Sequence, residues 1–421
     1  MKIFLSAGEV SGDMQGAALA RELKRLSPKA EIYGIGGRAM ASAGVRILDD
    51  ITSLSTIGLW ETLGFILPIL KVYNRIKARL ISEPPDAVVM IDNQGFNLIL
   101  SKMCRDEGIT NIYYFPPHVS VWGAWNAEKL KETCDLVVTP FPMDEKVYRK
   151  ADCPVVYPGH PFADMDLKAP VRTKLNAFPK KRFTVGLMPG SRRQEVAALT
   201  GIFLDAAIRL SGMLHGDVRF ILPVAHAMYK ERIERELRKR ARAFADIPIM
   251  LLEGDATDDI YPLSDAVILS SGTSSLLASL YGKPMVICYR ISPITFAVAK
   301  SVVTGGIIGM PNLMLGKKVI PELLQGECNP QAIARYTASY LTDAKAYRSM
   351  ARMLLSVRKI IGKKGVVRRV AKLVLDAAKE HSPIPRREIR GTPFPLSQRS
   401  ERGKGEERTQ NGNNETHARS L

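Results

Sequence analysis

The sequence predicts an α/β protein made of two doubly wound, largely parallel sheets, one in each half of the chain, followed by helices and a disordered basic tail. Three observations predict it. Short apolar runs alternate with stretches of helical periodicity, the pattern of strand–crossover–strand units whose sheet is covered on both faces. Some of these runs, such as Asp86 to Ile91 (DAVVMI), are apolar at successive rather than alternate positions, as strands buried on both faces are. Glycine turns follow the strand that opens each half, at Gly8 and Gly12 and again at Gly190. Ligands of such sheets sit beyond the carboxyl ends of the strands, where these turns lie.

Size and charge set further bounds. A chain of 421 residues is long enough for two full cores, and 24% charged with 46% hydrophobic residues is ordinary for a globular protein. The net charge of +18 is not ordinary. From Ser382 onward there are eight Lys/Arg and five Asp/Glu, so the excess belongs to the body of the chain. It fits an anionic membrane surface, an anionic substrate or nucleic acid. No nucleic acid partner is expected, because basic patches with interleaved aromatics and known motifs are both missing. Cys104, Cys134, Cys153, Cys288 and Cys328 form no CxxC pair and no metal-like spacing, which fits a reduced cytosol and no metal. The N-terminus MKIFLSAGEV reads as a strand entering a turn, not a signal peptide. No window of eighteen apolar residues is free of charge, so no spanning helix is expected.

In chain order, Lys2 to Leu5 is the first strand, and Ala17, Leu19, Leu23 and Leu26 give the helix after its turn. Glu31 to Ile35 is the second strand, ending in Gly36-Gly37 before a helix that carries Met40. Residues 57–80 differ in character. Trp60, Leu63, Phe65, Ile66, Leu67, Ile69 and Leu70 make an apolar surface broader than one helix face needs, and Lys71, Arg75, Lys77 and Arg79 follow. That make-up suits a helix lying on an anionic membrane or holding acyl chains. It equally suits a core helix with a snorkelling basic end.

The strand Asp86 to Ile91 delivers Asp92 to its carboxyl end, where a carboxylate can act as general base on a bound hydroxyl. Helix capping is the commoner job of such an Asp. Asn111 to Phe115, Leu136 to Thr139 and Val155 to Tyr157 complete the first half, and Gly159-His160-Pro161 closes it. His160, on this loop, can donate to a phosphate or sugar oxygen, although loop histidines usually have no such job. The domain reading is 1–167, a basic proline-bearing linker at 168–182, a second domain at 183–330, C-terminal helices at 331–381 that pack back toward the first domain, and a disordered tail at 382–421.

The second domain opens with Phe183 to Met188, a Pro189-Gly190-Ser191 turn, then Arg192 and Arg193. Ser191 can cap the helix that follows, while free N–H groups and the Arg192 fork can hold a phosphate. By itself this is also an ordinary strand-to-helix turn with solvated arginines. Strands follow at Phe220 to Val224, Ile249 to Leu252, Ala266 to Leu269 and Pro284 to Tyr289, with a basic solvated helix at Lys230 to Arg242. The run Ser270-Ser271-Gly272-Thr273-Ser274-Ser275 opens a helix and offers hydroxyls and N–H groups to an anion.

Several motifs stand in a fixed order: AGEVSGD (7–13), GIGG with Met40, SLSTIGLWETL (53–63), PPDAVVMIDNQGFN (84–97), GHP (159–161), LMPGSRRQEV (187–196), SGTSSL (271–276), PMVICYR (284–290) and MPNLMLGKKVIPELLQ (310–325). Together they resemble the lipid-A-disaccharide synthase family, from Lys2 to about Ala378. The resemblance implies the GT-B fold, with two Rossmann-like domains facing across a cleft. It also implies inverting, metal-independent transfer from UDP-2,3-diacylglucosamine to 2,3-diacylglucosamine 1-phosphate, with no cofactor. The protein would be cytoplasmic and peripheral on the inner face of the inner membrane, as a monomer or homodimer.

Carried over position by position, Asp92 matches the family's proposed general base and Arg192 its arginine at the donor phosphates. Gly190, Ser191, Ser271, Gly272, Thr273, Ser274, Asn312, Glu322 and Gln325 fall on the donor side. Ser11, Gly12, Asp13, Glu61, Asn97 and His160 fall on the acceptor side, and Trp60, Phe65, Ile66 and Leu70 on the acyl or membrane surface. The chain departs from the family's pattern at Gly95, Gly123 and Asn126. It departs again at Leu277, which stands where the family has a glutamate of the kind that binds a nucleotide ribose. A UDP-sugar 2-epimerase shares the layout but is expected to carry further cleft carboxylates and a histidine. A non-catalytic membrane-surface binder is the remaining alternative.

Overall fold

Parallel pairing organises the chain into a seven-stranded and a six-stranded sheet. The computed structural model describes residues 1–52, 66–121, 123–167, 171, 178–291 and 306–380. The first sheet holds β1 (Lys2–Ala7), β2 (Glu31–Ile35), β3 (Arg46–Asp49), β4 (Ala87–Ile91), β5 (Asn111–Tyr114), β6 (Leu136–Val138) and β7 (Val155–Val156), in the order β3-β2-β1-β4-β5-β6-β7. The second holds β8 (Phe183–Met188), β9 (Val218–Pro223), β10 (Ile249–Leu252), β11 (Ala266–Ser270), β12 (Met285–Tyr289) and β13 (Glu322–Leu324), in the order β10-β9-β8-β11-β12-β13. Each order reverses once, between β1 and β4 and between β8 and β11. Two strands were not legible as apolar runs: β3 is half exposed and β13 is three residues long. Both lie at sheet edges, where one-sided pairing needs less apolar sequence.

In the first half, helices α1 (Val10–Leu26), α2 (Arg38–Ser42), α3 (Ile66–Ser82), α4 (Gln94–Asp106), α5 (Trp125–Thr133) and α6 (Pro142–Lys150) follow the strands. In the second come α7 (Arg193–Met213), α8 (Lys230–Arg238), α9 (Ile260–Leu263), α10 (Thr273–Leu280) and α11 (Met310–Leu315). The chain then forms α12 (Pro330–Thr342), α13 (Ala344–Ile360) and α14 (Val366–Lys379).

Strand alternation splits the first sheet between two cores. Ile3, Leu5, Val89 and Ile91 join Ala17, Leu19 and Leu23 of α1 on one face. Phe4, Val88 and Met90 join Ile76 and Leu80 of α3 and Leu100 of α4 on the other. This double burial is why β4 reads as an unbroken apolar run. In α3, Ile69, Val72 and Tyr73 also lean on the core, so the described part of this helix is a core helix with a basic outer side. Leu70 remains 46% exposed beside Lys71. Among the described residues, α7 is apolar and long enough to cross a membrane, yet half of its apolar window is buried between β9, β11, β12 and α12. The five cysteines are buried free thiols.

The C-terminal helices divide between the halves. Helix α12 packs on α7, and α13 on α10. Helix α14 instead returns to the first sheet, where Val370, Ala371 and Val374 are fully buried beside α1. Each of the two valines contributes on the order of 1.5–3 kcal/mol. A clasp fixes the return. Asp164 accepts the backbone N–H groups of Gly365, Val366 and Val367, Arg369 donates to the Pro158 carbonyl at 2.9 Å, and Tyr157 donates to the Ile360 carbonyl. Replacing Asp164 with Ala strips the first turn of α14 of its acceptor. We expect a loss of about 1–2 kcal/mol, read as a lower urea midpoint for the full chain.

Candidate active site

The site begins at the reversal between β1 and β4, where the turn after each strand meets the other. Gly8 allows this approach: a Cβ there would lie 1.7 Å from Asn93 Nδ2. Asp92 and Asn93 both adopt left-handed backbone, with φ of 56° and 45°. Such conformations cost energy in non-glycine residues and persist only where the surroundings impose them. Here Asn97 Nδ2 donates to the Asp92 carbonyl at 2.8 Å and Tyr113 Oη donates to the same carbonyl at 2.9 Å. The Asp92 carboxylate stays half exposed and accepts Ser11 Oγ at 3.2 Å. Asn93, not Asp92, occupies the N-cap position of α4, so capping does not occupy this carboxylate.

Other expected ligand contacts in this half are redirected by the structure. Asp13 is buried and accepts N–H groups from Gly37, Ala39 and Met40 at 2.8–3.0 Å, which caps α2. Asn97 is fully buried and also accepts Ser6 Oγ. Gly12 lies against the Ile91 carbonyl, where a Cβ would come within 3.2 Å. His160 is only 1% exposed, its Nδ1 accepts Phe162 N–H, and its backbone N–H donates to the Ile361 carbonyl. Burial, then the neighbouring His118, pushes its pKa down to about 3. It is a neutral member of the clasp, not a free donor to a phosphate.

In the second half, Gly190 turns the chain with φ of 120°, against the Glu195 side chain. The expectation that Ser191 caps α7 is corrected: Arg192 is the N-cap residue, and Glu195 Oε2 accepts the N–H groups of Ser191 and Arg192 at 3.2 and 3.4 Å. The anion-receiving N–H groups therefore already hold an internal carboxylate. Across the β8/β11 reversal, Ser271 Oγ donates to the Ile308 carbonyl, Ser274 bonds Tyr261, and Thr273 is exposed at the start of α10. Gly272 is half-buried at the N-cap of the same helix. Leu277 is 7% exposed and belongs to the core.

Three further residues expected on the donor side act through the backbone. Glu322, buried, accepts Ile308 N–H and Gly309 N–H at 3.0 Å and Asn312 Nδ2 at 2.7 Å. Asn312, fully buried, accepts Val319 and Ile320 N–H groups at 2.9 Å. The Gln325 amide pairs with both backbone groups of Ile291 at 3.0 Å. Together they shape the loop that receives Ser271.

Across the cleft, Arg192 Nη2 lies 3.6 Å from Glu9 Oε2 of the first half, and Nη1 lies 3.6 Å from Glu195 Oε1. Burial raises the pKa of Glu9, nearby Asp92 raises it further, and Arg192 opposes both. For Arg192, burial alone would lower the pKa, but Glu195, Glu9 and Asp92 outweigh it and the net shift is upward. Sequence reading placed Glu9 and Glu195 in motifs but gave neither a role. It also missed the His118–Asp144 pair at 2.8 Å, with Asp144 fully buried. Trp60, Glu61 and Phe65 lie outside the described residues, as does the side chain of Ile66. Among the described residues, no group of three or more His, Cys, Asp or Glu is placed to hold a metal ion.

The buried His160 gives a pH test. Its folded pKa of about 3 lies below the ordinary 6.5, so between these values the unfolded chain binds a proton that the folded chain refuses. Its contribution to stability therefore falls as pH drops from about 6.5 toward 3. We expect its ring resonances in NMR to stay unshifted between pH 5 and 8, and a titration in that range would contradict its neutral, buried state.

Comparison with known proteins bears on this geometry. A family model described as lipid-A-disaccharide synthetase matches residues 3–372. The chain is 35% identical over 379 residues to the lipid-A-disaccharide synthase of Geobacter metallireducens, covering 89% of this chain and 97% of the relative. It is 36% identical over 347 residues to that of Pseudomonas paraeruginosa, covering 82% and 90%. Among solved structures it resembles UDP-GlcNAc 2-epimerase from Neisseria meningitidis bound to UDP-GlcNAc, with a TM-score of 0.63, 12% identity and coverage of 89% and 100%. It also resembles Acinetobacter baumannii MurG, with a TM-score of 0.53, 15% identity and coverage of 89% and 99%. The fold is GT-B, with a glycosyltransferase's two facing sheets. Match length, identity and the order of the motifs agree: this chain belongs to the lipid-A-disaccharide synthetase family.

Proposed function

We propose that this chain joins two acylated glucosamines. It transfers 2,3-diacylglucosamine from its UDP conjugate to 2,3-diacylglucosamine 1-phosphate, giving a β-1,6-linked disaccharide 1-phosphate and UDP. One observation supports it above the others: Asp92, at the end of β4, and Arg192, at the start of α7, belong to opposite halves, yet the Asp92 carboxylate lies close enough to help raise the pKa of Arg192. That is the division of labour a displacement at an anomeric carbon needs.

In this reading the acceptor's 6-hydroxyl oxygen attacks the donor's anomeric carbon. The bond from that carbon to the phosphate oxygen breaks, its electron pair leaves with UDP, and the configuration inverts. The proton of the hydroxyl passes to Asp92. Charge developing on the departing diphosphate is met by the Arg192 guanidinium and by the dipole of α7. Ser11 holds the Asp92 carboxylate in place through its hydroxyl. Leu277, apolar and buried in the core, supplies no hydrogen bond to a ribose.

The substrates also account for the charge. Both are anionic and acylated, which suits a basic body and the apolar surface expected from the sequence at residues 57–80. The exposed Leu70 beside Lys71 and Arg75 supports a peripheral site on the inner face of the inner membrane.

Incubation with both substrates tests the activity: UDP release that requires the acceptor supports it, and release from the donor alone supports epimerase-type chemistry instead. Asp92→Asn and Arg192→Ala are each expected to lower turnover by about a thousand-fold or more. Full activity in either variant would remove the assignment. The protein is also expected to bind anionic vesicles at low salt, and replacing Trp60 and Phe65 with Ser should weaken that binding; an unchanged affinity excludes this surface.

A further inference from the structure

Arg192 has a carboxylate on each side. Its guanidinium stands between Glu9 and Glu195, 3.6 Å from each, and the N–H groups of Ser191 and Arg192 are bonded to Glu195. The two carboxylates differ in origin. Glu195 sits three residues along the same helix and moves with Arg192. Glu9 sits in the turn between β1 and α1, at the N-cap position of α1, and its side chain makes no capping bond there. It reaches Arg192 from the other half of the molecule, and its carboxylate remains 30% exposed.

We propose that Glu9 is a positioning residue that occupies Arg192 in place of the donor's diphosphate, and that donor binding displaces it. The inference rests on the reading of Arg192 as the diphosphate-binding arginine. Glu9 and Glu195 flank the guanidinium and Asp92 acts on it electrostatically, so a diphosphate adds at least two negative charges to a surplus of the same sign. Glu195 is tied by the helix backbone and Asp92 is held by Ser11. Glu9 has no such tether and is the group free to leave. Its charge draws the Arg192 guanidinium toward the first half, at the cost of competing with the ligand. Glu9 therefore sets donor affinity without contacting the reacting atoms.

The test measures binding of UDP and of inorganic pyrophosphate to the full chain by calorimetry. Removing the competing charge in Glu9→Gln should tighten both ligands by roughly five-fold, the range of one exposed ion pair. Glu9→Asp, which keeps the charge on a shorter stem, should fall between the two. In an Arg192→Ala background the gain should vanish, because the competition acts through that guanidinium. Loss of a merely structural contact would weaken binding or leave it unchanged, so either result in a Glu9→Gln protein of unaltered melting temperature overturns the proposal. So does a gain that persists without Arg192, or a wild-type protein that binds neither ligand. Tighter pyrophosphate binding in a protein that makes no disaccharide would keep Glu9's role and reject the proposed activity.

Discussion

The site depends on two reversals of strand order. At β1 and β4 the following helices leave to opposite faces: α1 packs in one core of the first sheet and α4 in the other. A crevice must open where they part, because neither helix covers the ends of both strands. Glu9 begins one helix and Asp92 precedes the other, so both stand at that crevice. The second sheet repeats the order, and its reversal carries the Gly190 turn and the Ser271 turn. The chemistry-bearing residues cluster because of topology, not because they are near in sequence.

Holding those turns open costs energy, and buried polar groups offset it. Two successive left-handed residues at 92 and 93 are tolerated because Asn97 and Tyr113 both bond the Asp92 carbonyl. On the other side Glu322 and Asn312 collect the backbone N–H groups of residues 308, 309, 319 and 320. A buried backbone N–H without an acceptor costs about 1–3 kcal/mol. These side chains therefore contribute to the site by fixing loops from behind it.

The clasp between residues 157–164 and 360–369 plays the same part on a larger scale. It returns α14 to the first sheet through Asp164, Tyr157, His160 and Arg369, so the chain crosses between halves twice. A pair of crossings restricts the relative motion of the halves more than a single linker does. Arg192 and Glu9, by contrast, touch through one long ion pair with exposed partners, a contact weak enough to be exchanged for a ligand.

The sequence by itself determined the fold class and the family. Apolar runs such as residues 86–91 and glycines at 8, 12 and 190 name a doubly wound architecture, since double burial and close backbone approach leave a mark on residue type, although Gly12 lies in the first turn of α1 and not in the turn before it. It also placed Asp92 and Arg192 at strand ends. What it could not separate was the polar residue that meets a ligand from the one that serves the backbone. Asp13, Asn97, His160, Asn312 and Glu322 carry the same motif signal as Asp92, yet their polar atoms are bound to backbone groups of the fold. For Asp13 those partners lie at residues 37–40, more than twenty positions away and on another loop. Tertiary structure alone decided these assignments, and it alone brought Glu9 to Arg192 across 183 positions of sequence. The physical reason is common to both: a polar side chain pairs with whatever donor or charge the fold puts within about 3–4 Å, and sequence spacing does not record that distance.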